Sequence, residues 1–225
     1  MTDVLCVDVA VQEDLMLHDQ LARGVVALSG QGRRLLILLG SGEAEERRLE
    51  TAGHVPVRRE GALERITPPV ESSMRESVRT LSNRLTDEGA FAVGMMATDR
   101  NIAVQAEDGL RISAQRASQL WTGPGVVPVL GSLVGNGTGG AVDVHPLALA
   151  LALEPHLGSP ARIILLLKHA VGPRADLTDE KNTVSKEKLM EEGLFVPGLS
   201  LPADGISWYV GSPLEASHGQ VVQVR

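Results

Sequence analysis

Short apolar segments alternate with amphipathic ones along almost the whole chain, and this alternation constrains the fold more than any other feature. The runs Leu35–Leu39 and Ile163–Leu167 contain only Leu and Ile. They are far shorter than the ~20 residues that a membrane span needs, and they have the length of buried strands. Between such runs, apolar residues recur at helical spacing, as at Leu17, Leu21 and Val25. The alternation predicts an α/β fold with a mostly parallel central sheet and helices on both faces.

The same pattern, together with Gly and Pro positions, predicts the element boundaries. A hydroxyl at Thr67 followed by Pro68 is typical of a helix start. Glu43, Glu45 and Glu46 are interpreted as a solvated helix face. Strands are predicted at Val4–Val9, Leu35–Leu39, Phe91–Met96, Val126–Leu130, Ile163–Leu167, Ser207–Val210 and Val221–Val224. Helices are predicted after Asp14, at Glu43–Ala52, after Thr67, at Leu147–Glu154 and at Ser185–Glu192, with hairpins or loops at Arg58–Glu64 and Val104–Ile112.

Charge and composition exclude several function classes. The formal net charge is −7 and aromatic residues make up only 2% of the chain, so nucleic acid is not the expected partner. A single cysteine, Cys6, cannot form an internal disulfide, which fits a reducing compartment. No basic segment followed by an apolar one opens the sequence, so we expect a cytoplasmic protein that does not associate with membranes.

Ligands of parallel sheets bind beyond the carboxyl ends of the strands, which directs attention to the loops there. Gly40-Ser41-Gly42 brings backbone N–H groups near an anion at a helix N-terminus, or is a plain connecting turn. Gly135–Gly140 either wraps a ligand or forms a surface loop. Asp8 is interpreted as a helix cap rather than a metal ligand, and the isolated His54 and His145 as structural or surface residues. The other loops of interest are Asp8–Gln12, Met96–Asp99 and Lys168–Gly172.

The order of these segments resembles the amino acid kinase family, in particular acetylglutamate kinase and acetylaminoadipate kinase. The resemblance covers nearly the whole chain, and it depends on the shared order because each match is short. The matching segments are 10–14, 35–42, 50–56, 65–67, 83–94, 128–130, 142–147, 164–172 and 189–193.

The resemblance implies a three-layer αβα sandwich with an N-terminal amino-acid lobe (1–158) and a shortened C-terminal nucleotide lobe (159–225). It assigns the substrate carboxylates to Gly40, Ser41, Gly42 and Arg65, since a guanidinium pairs well with a carboxylate. It assigns ATP, with Mg²⁺, to the region of Lys168 and Gly172. It also implies an acylated amino-acid-like ligand and a homodimer or higher homo-oligomer.

Several family positions hold other residues in this chain. Cys6 stands where the family has its phosphoryl-binding lysine, and Leu147 where it has the aspartate that organises the catalytic lysines. Asp99 and Lys168 remain as charged candidates for catalysis, and Ala203 replaces a late lysine. Two interpretations follow. The chain is an ATP-dependent kinase for the side-chain carboxylate of an N-acylated amino acid in arginine or lysine biosynthesis, or it is an inactive relative that binds a ligand or serves as a regulatory or structural subunit.

Overall fold

The computed structural model describes residues 2–158, 160–168, 183–192 and 208–224. The strands are β1 (Thr2–Val7), β2 (Arg34–Leu39), β3 (Arg58–Arg59), β4 (Ala62–Leu63), β5 (Phe91–Met96), β6 (Ala103–Ala106), β7 (Gly109–Ile112), β8 (Val126–Gly131), β9 (Leu133–Gly135), β10 (Ala141–Asp143), β11 (Ala161–Leu166), β12 (Thr183–Val184), β13 (Trp208–Gly211) and β14 (Val222–Val224). The helices are α1 (Val9–Gln12), α2 (Leu15–Gly30), α3 (Glu43–Thr51), α4 (Pro68–Asp87), α5 (Ala114–Ser118), α6 (Pro146–Leu153), α7 (Lys186–Glu191) and α8 (Pro213–His218).

Eight strands form the central sheet, in the order β12-β14-β13-β11-β1-β2-β8-β5. The strands from β13 to β5 are parallel, whereas β14 pairs antiparallel with β13. The prediction of an α/β fold with a mostly parallel central sheet is therefore confirmed. Because β11 pairs along the whole of β1, one continuous sheet joins the predicted N-terminal and C-terminal lobes.

Strand β1 shows how the sequence pattern produces the layers. Successive side chains of a strand point to opposite faces, and both faces of this strand are covered. Val4 and Cys6 belong to one apolar cluster, which includes Leu147 of α6. Leu5 and Val7 belong to the other, which includes residues of α2 and α4. All six residues of β1 are buried, so the strand has no polar alternation.

A smaller sheet shares the α6 face of the molecule. Its order is β10-β9-β6-β7, and it adds Ala103 and Val134 to the same cluster as Cys6. The hairpin β3–β4 is a separate two-stranded sheet. Within the described part of the chain, none of the helices is long and apolar enough to cross a membrane.

The structure corrects several local predictions. Strand β1 ends at Val7 rather than Val9, because the Asp8 side chain caps a short helix that begins at Val9. Thr67 precedes α4 as predicted, but its hydroxyl is buried without a partner and does not cap the helix. Glu45 is buried rather than solvated. Strands β9 and β10 were not predicted, because each has only three residues, and helix α8 was not predicted either.

Candidate functional site

Two adjoining cavities lie beyond the carboxyl ends of β1 and β2. The inner cavity has a volume of about 260 Å³, and the outer cavity has a volume of about 650 Å³. Asp8 and Val9 line both. Gly40 forms part of the inner wall, where a Cβ atom would lie 2.9 Å from Cγ of Pro146, so glycine is required for the loop to approach α6 this closely.

Arg58 fixes the loop after β2 from the side of the hairpin. Its Nη1 donates to Ser41 Oγ at 3.1 Å and to the Gly61 carbonyl at 2.8 Å, and its Nη2 donates to the Ser41 carbonyl at 3.1 Å. Its Nε donates to Glu46 Oε1 at 2.5 Å. The guanidinium therefore lines the inner cavity in a fixed orientation, because these bonds leave it little freedom to rotate.

Asp143 is the buried centre of the inner cavity and is 8% exposed. Its carboxylate accepts hydrogen bonds from Ser41 Oγ at 2.5 Å, Ser132 Oγ at 2.7 Å and the Leu63 N–H at 2.9 Å. The three donors come from the loop after β2, the end of β8 and the hairpin. Burial raises the pKa of Asp143 even though these donors and Arg58 oppose the shift. Asp143 thus joins three elements, and Ser41 gives its only hydroxyl proton to it.

His145 precedes α6 and lines the inner cavity. The ring is 7% exposed, and burial lowers its pKa to about 4, so the imidazole is neutral near pH 7. Its Nδ1 accepts from the Leu147 N–H at 3.2 Å, which places the proton on Nε2. Nε2 has no hydrogen-bond partner among the described residues. This N–H is not among the buried unpartnered atoms of the described residues, so it is open to water or a ligand in the inner cavity.

Two carboxylates occupy the backbone donors at the start of α3. The Gly42 N–H donates to Glu45 Oε2 at 2.7 Å, and the Glu43 N–H donates to Glu13 Oε1 at 2.5 Å. A bound phosphate or carboxylate at a helix N-terminus uses backbone donors of this kind. The protein's own Glu13 and Glu45 therefore stand where an anion would bind.

Acidic side chains dominate the outer cavity. Among the described residues, its lining contains the acidic Asp8, Glu13, Asp14 and Glu43 and the basic Lys168. Lys168 Nζ lies 3.6 Å from Asp14 Oδ2. Burial raises the pKa of Asp8 and of Glu13. The potential of this cavity therefore favours positively charged groups over negatively charged ones.

The two positions that the family resemblance links to phosphoryl transfer, Cys6 and Leu147, are both fully buried. They share one apolar cluster, and Cys6 Sγ lies 3.7 Å from the carbonyl oxygen of Pro146. Burial raises the pKa of the Cys6 thiol, so it stays protonated. Apolar packing thus fills the space that charged side chains would need.

The structure brings some of the residues predicted for the site together and separates others. Gly40 and Ser41 line the inner cavity, and Lys168 lines the outer one. Gly42 adjoins them, but its N–H is bonded to Glu45. Gly172 lies outside the described residues.

Arg65 and Asp99 lie away from both cavities. Arg65 Nη1 is 2.8 Å from His54 Nδ1 at an exposed position. Asp99 pairs with Arg75 at 3.0 Å and accepts from the Met96 N–H at 2.8 Å. It lines a separate cavity of about 430 Å³ beside Gly137.

Three residues of the inner cavity were not predicted as site residues, namely Arg58, Asp143 and His145. The sequence could have indicated Arg58, because the side chains of neighbouring strand residues point to opposite faces. In a strand that contains Arg58 and Arg59, one of the two side chains therefore faces inward. In the family resemblance, Asp143 and His145 would correspond to the two asparagines of an Asn-x-Asn-Ala-Asp segment. This correspondence indicates the site, whereas the separation of His145 from other possible metal ligands in the sequence does not.

Comparison with known proteins gives matches at the level of fold. No protein-family model matches the chain, and no curated protein matches it in sequence. N-acetylglutamate synthase from Neisseria gonorrhoeae, complexed with coenzyme A and N-acetyl-glutamate, aligns over 88% of this chain and 48% of its own, with 16% identity and a TM-score of 0.62. The same enzyme complexed with coenzyme A and L-arginine aligns over 99% of this chain and 61% of its own, with 14% identity and a TM-score of 0.66.

Two further structures show the same architecture. The protein smu.665 from Streptococcus mutans UA159 aligns over 93% of this chain and 94% of its own, with 13% identity and a TM-score of 0.66. Aspartate kinase from Synechocystis aligns over 95% of this chain and 38% of its own, with 14% identity and a TM-score of 0.63. The chain thus spans 48% and 61% of the two synthase structures and 38% of the aspartate kinase. Together these similarities show that the chain has an amino acid kinase-like fold.

Proposed function

We propose that this protein binds an amino-acid-like small molecule in the inner and outer cavities and does not phosphorylate it. One observation supports this most directly: polar groups converge on the inner cavity while apolar packing fills the phosphoryl-transfer positions. Arg58, Asp143 and His145 line that cavity, whereas Cys6 and Leu147 are buried in the core below it. The volumes of the two cavities fall near the range of small-molecule sites, roughly 300–1,000 Å³.

The described residues at this edge of the sheet do not fit a nucleoside triphosphate. Phosphoryl transfer depends on positive charges and backbone donors that neutralise the phosphates. Here Glu45 and Glu13 occupy the donors at Gly42 and Glu43, and the outer cavity is predominantly acidic. We therefore derive no step that involves ATP.

A second candidate function is the ATP-dependent kinase that the family resemblance implies, acting with Mg²⁺ on the side-chain carboxylate of an N-acylated amino acid. Lys168 favours it, because this ammonium follows β11 and lines the outer cavity beside the loop after β2. Its partner Asp14 is 31% exposed, so the ion pair is open to solvent and weakly held.

Calorimetry separates the two functions. We would titrate the full chain with ATP–Mg²⁺ and with N-acetyl-L-glutamate in separate experiments, followed by unmodified L-amino acids. Binding of an amino-acid-like molecule without nucleotide binding supports the proposal. A micromolar dissociation constant for ATP–Mg²⁺, together with phosphoryl transfer, would instead support the kinase.

Two arginines are candidates to bind a ligand carboxylate, and paired variants distinguish them. The family resemblance predicts Arg65, and Arg58 lines the inner cavity, where its charge attracts a carboxylate although its N–H groups already donate within the protein. Replacing the residue that binds the carboxylate with Ala should weaken affinity by about 1.5–3 kcal/mol, the value of a charged hydrogen bond. Because Arg58 also fixes the loop, Arg58→Lys and a denaturation curve accompany Arg58→Ala. Unchanged affinity in both Ala variants would contradict carboxylate recognition by either residue.

We also propose that the protein forms a homodimer or a higher homo-oligomer. The family resemblance supports this, and the long helix α4 exposes charged residues of both signs, such as Glu76 and Arg79, which suit a self-complementary contact. Light scattering during size-exclusion chromatography tests it. A single monomer peak at micromolar concentration would contradict the proposal.

A further inference from the structure

We infer that the ligand bears a free ammonium group received by Asp8 and an acceptor for the Nε2–H of His145, and is thus an unacylated amino acid rather than an N-acyl derivative. The inference rests on the proposed function and specifies the class of molecule that the same cavities select.

Asp8 supplies the first reason. Its Oδ1 accepts from the Ala10 N–H at 2.9 Å, and within the described part of the chain the carboxylate accepts no hydrogen bond from a side chain. No basic side chain among the described residues forms an ion pair with it, although it is half-buried between the two cavities. Burial raises the pKa of Asp8 more than the nearby charge of Arg58 lowers it, and a ligand cation placed against the carboxylate would stabilise its charged form.

His145 supplies an independent reason that the cavity is a site. The ring is 7% exposed, its Nδ1 is bonded, and its Nε2–H lacks a partner among the described residues. The same inner cavity contains Asp8, so one unused donor and one unused acceptor line a single space. An amino acid carries the matching pair, because its carboxylate accepts a hydrogen bond and its ammonium donates one.

The start of α3 explains why the site disfavours a purely anionic ligand. The carboxylates of Glu45 and Glu13 already occupy the Gly42 and Glu43 N–H groups. A second anion there would meet Glu13, Glu43 and Asp8 without a free backbone donor. Acylation of the ligand's amino group removes its positive charge, so that Asp8 loses the ligand's attraction and affinity falls.

Calorimetry with matched pairs of probes tests the inference. The pairs are L-glutamate, L-lysine and L-arginine, each against its Nα-acetyl derivative, titrated into the full chain at pH 7. For at least one pair, we expect the free amino acid to bind about tenfold or more tightly than the acetylated form, the ratio of one charge-assisted hydrogen bond. Asp8→Asn should reduce that preference to less than about threefold, since Asn still caps α1 but has no charge.

Asp108→Asn is the matched control, because it removes the same charge at an exposed position outside both cavities, where Asp108 pairs with Arg111 at 3.2 Å. It should leave the preference intact. If the acetylated form binds equally or more tightly in every pair that binds, the inference is wrong and the proposed binding function stands. If the preference survives Asp8→Asn in a folded variant, the assignment to Asp8 is wrong. If no member of any pair binds, the proposed function itself fails.

Discussion

At the residue scale, His145 combines a structural bond with an unused donor, and its burial makes folding sensitive to pH. Burial holds its pKa at about 4 in the fold, against an ordinary value of 6.5. Between these values the unfolded chain binds a proton that the folded chain does not. The contribution of His145 to stability is therefore fully present above pH 6.5 and falls as pH drops from 6.5 towards 4.

Replacing His145 with Asn should remove this pH dependence. The free energy of unfolding of the native chain, relative to His145→Asn, should decrease by about 3 kcal/mol between pH 6.5 and pH 4. Urea denaturation at several pH values measures it. A pH-independent difference between the native chain and His145→Asn would show that His145 is protonated equally in both states.

The burial of Cys6 and Leu147 in one cluster makes their coupling measurable. Cys6→Lys and Leu147→Asp should each lower the free energy of unfolding by several kcal/mol, because each buries a charge without a partner. If the two charges meet, the double variant is less destabilised than the sum of the singles. Chemical denaturation should then give a coupling energy above ~0.5 kcal/mol, the scatter for independent sites.

Neither single replacement should produce kinase activity, since the remaining phosphate-binding donors are still occupied by Glu13 and Glu45. Cys6→Ala controls for loss of the thiol alone. A coupling energy below ~0.5 kcal/mol would mean that Cys6 and Leu147 do not face each other. The residue-level correspondence with the kinase family would then be wrong.

At the element scale, two glycines of helix α2 make opposite predictions. A Cβ atom at Gly24 would lie 2.8 Å from Cβ of Ser217 in α8, whereas one at Gly30 would meet nothing within 4 Å. Gly24→Ala should therefore separate α2 from α8 and lower stability by about 1–3 kcal/mol, as overpacking does. Gly30→Ala should raise stability by about 0.5–1 kcal/mol, because Ala has the higher helix propensity.

Thermal unfolding of the two variants gives the comparison directly, since both place the same methyl group in one helix. We expect the melting temperature to fall for Gly24→Ala and to rise for Gly30→Ala. Equal shifts in the same direction would contradict the close α2–α8 contact.

At the scale of the whole molecule, a buried ion cluster joins strands that are distant in sequence. Asp3 of β1 is fully buried and accepts from Arg33 at 2.7 Å and Arg162 at 3.1 Å. Arg162 belongs to β11 and Arg33 precedes β2, so the cluster links the first strand to both neighbours in the sheet. The two guanidinium groups are only 20% and 16% exposed, so salt screens the cluster weakly.

Asp3→Ala should destabilise the protein by about 3–5 kcal/mol, since it leaves two largely buried cations without their anion. Asp108→Ala should change stability by less than about 1 kcal/mol, because the pair of Asp108 with Arg111 is solvent-exposed. Urea denaturation at low and high salt measures both. A small, salt-sensitive loss for Asp3→Ala would show that the cluster behaves as a surface ion pair.

The sequence by itself determined the architecture, because hydrophobic periodicity is local and each long apolar run allows few structures. The apolar run Leu35–Leu39 predicts a buried strand, and the spacing of apolar residues from Leu17 to Val25 predicts a helix, whatever each packs against. Segments that become strands only through pairing with another strand were not predicted. Strand β10, for example, has three residues and exists through its pairing with β9.

The site was decided by tertiary structure, because it depends on residues brought together over long separations. Ser41 and Asp143 form their bond across 102 positions, and Leu63 and Asp143 across 80. Glu13 accepts a hydrogen bond from the Glu43 N–H across 30 positions. From the sequence, the preceding glycine-rich loop is either an anion site or a plain turn, and in the fold a carboxylate of the protein already occupies this donor. No local pattern reports which backbone donors a distant carboxylate will occupy, since that depends on how the sheet and its helices pack.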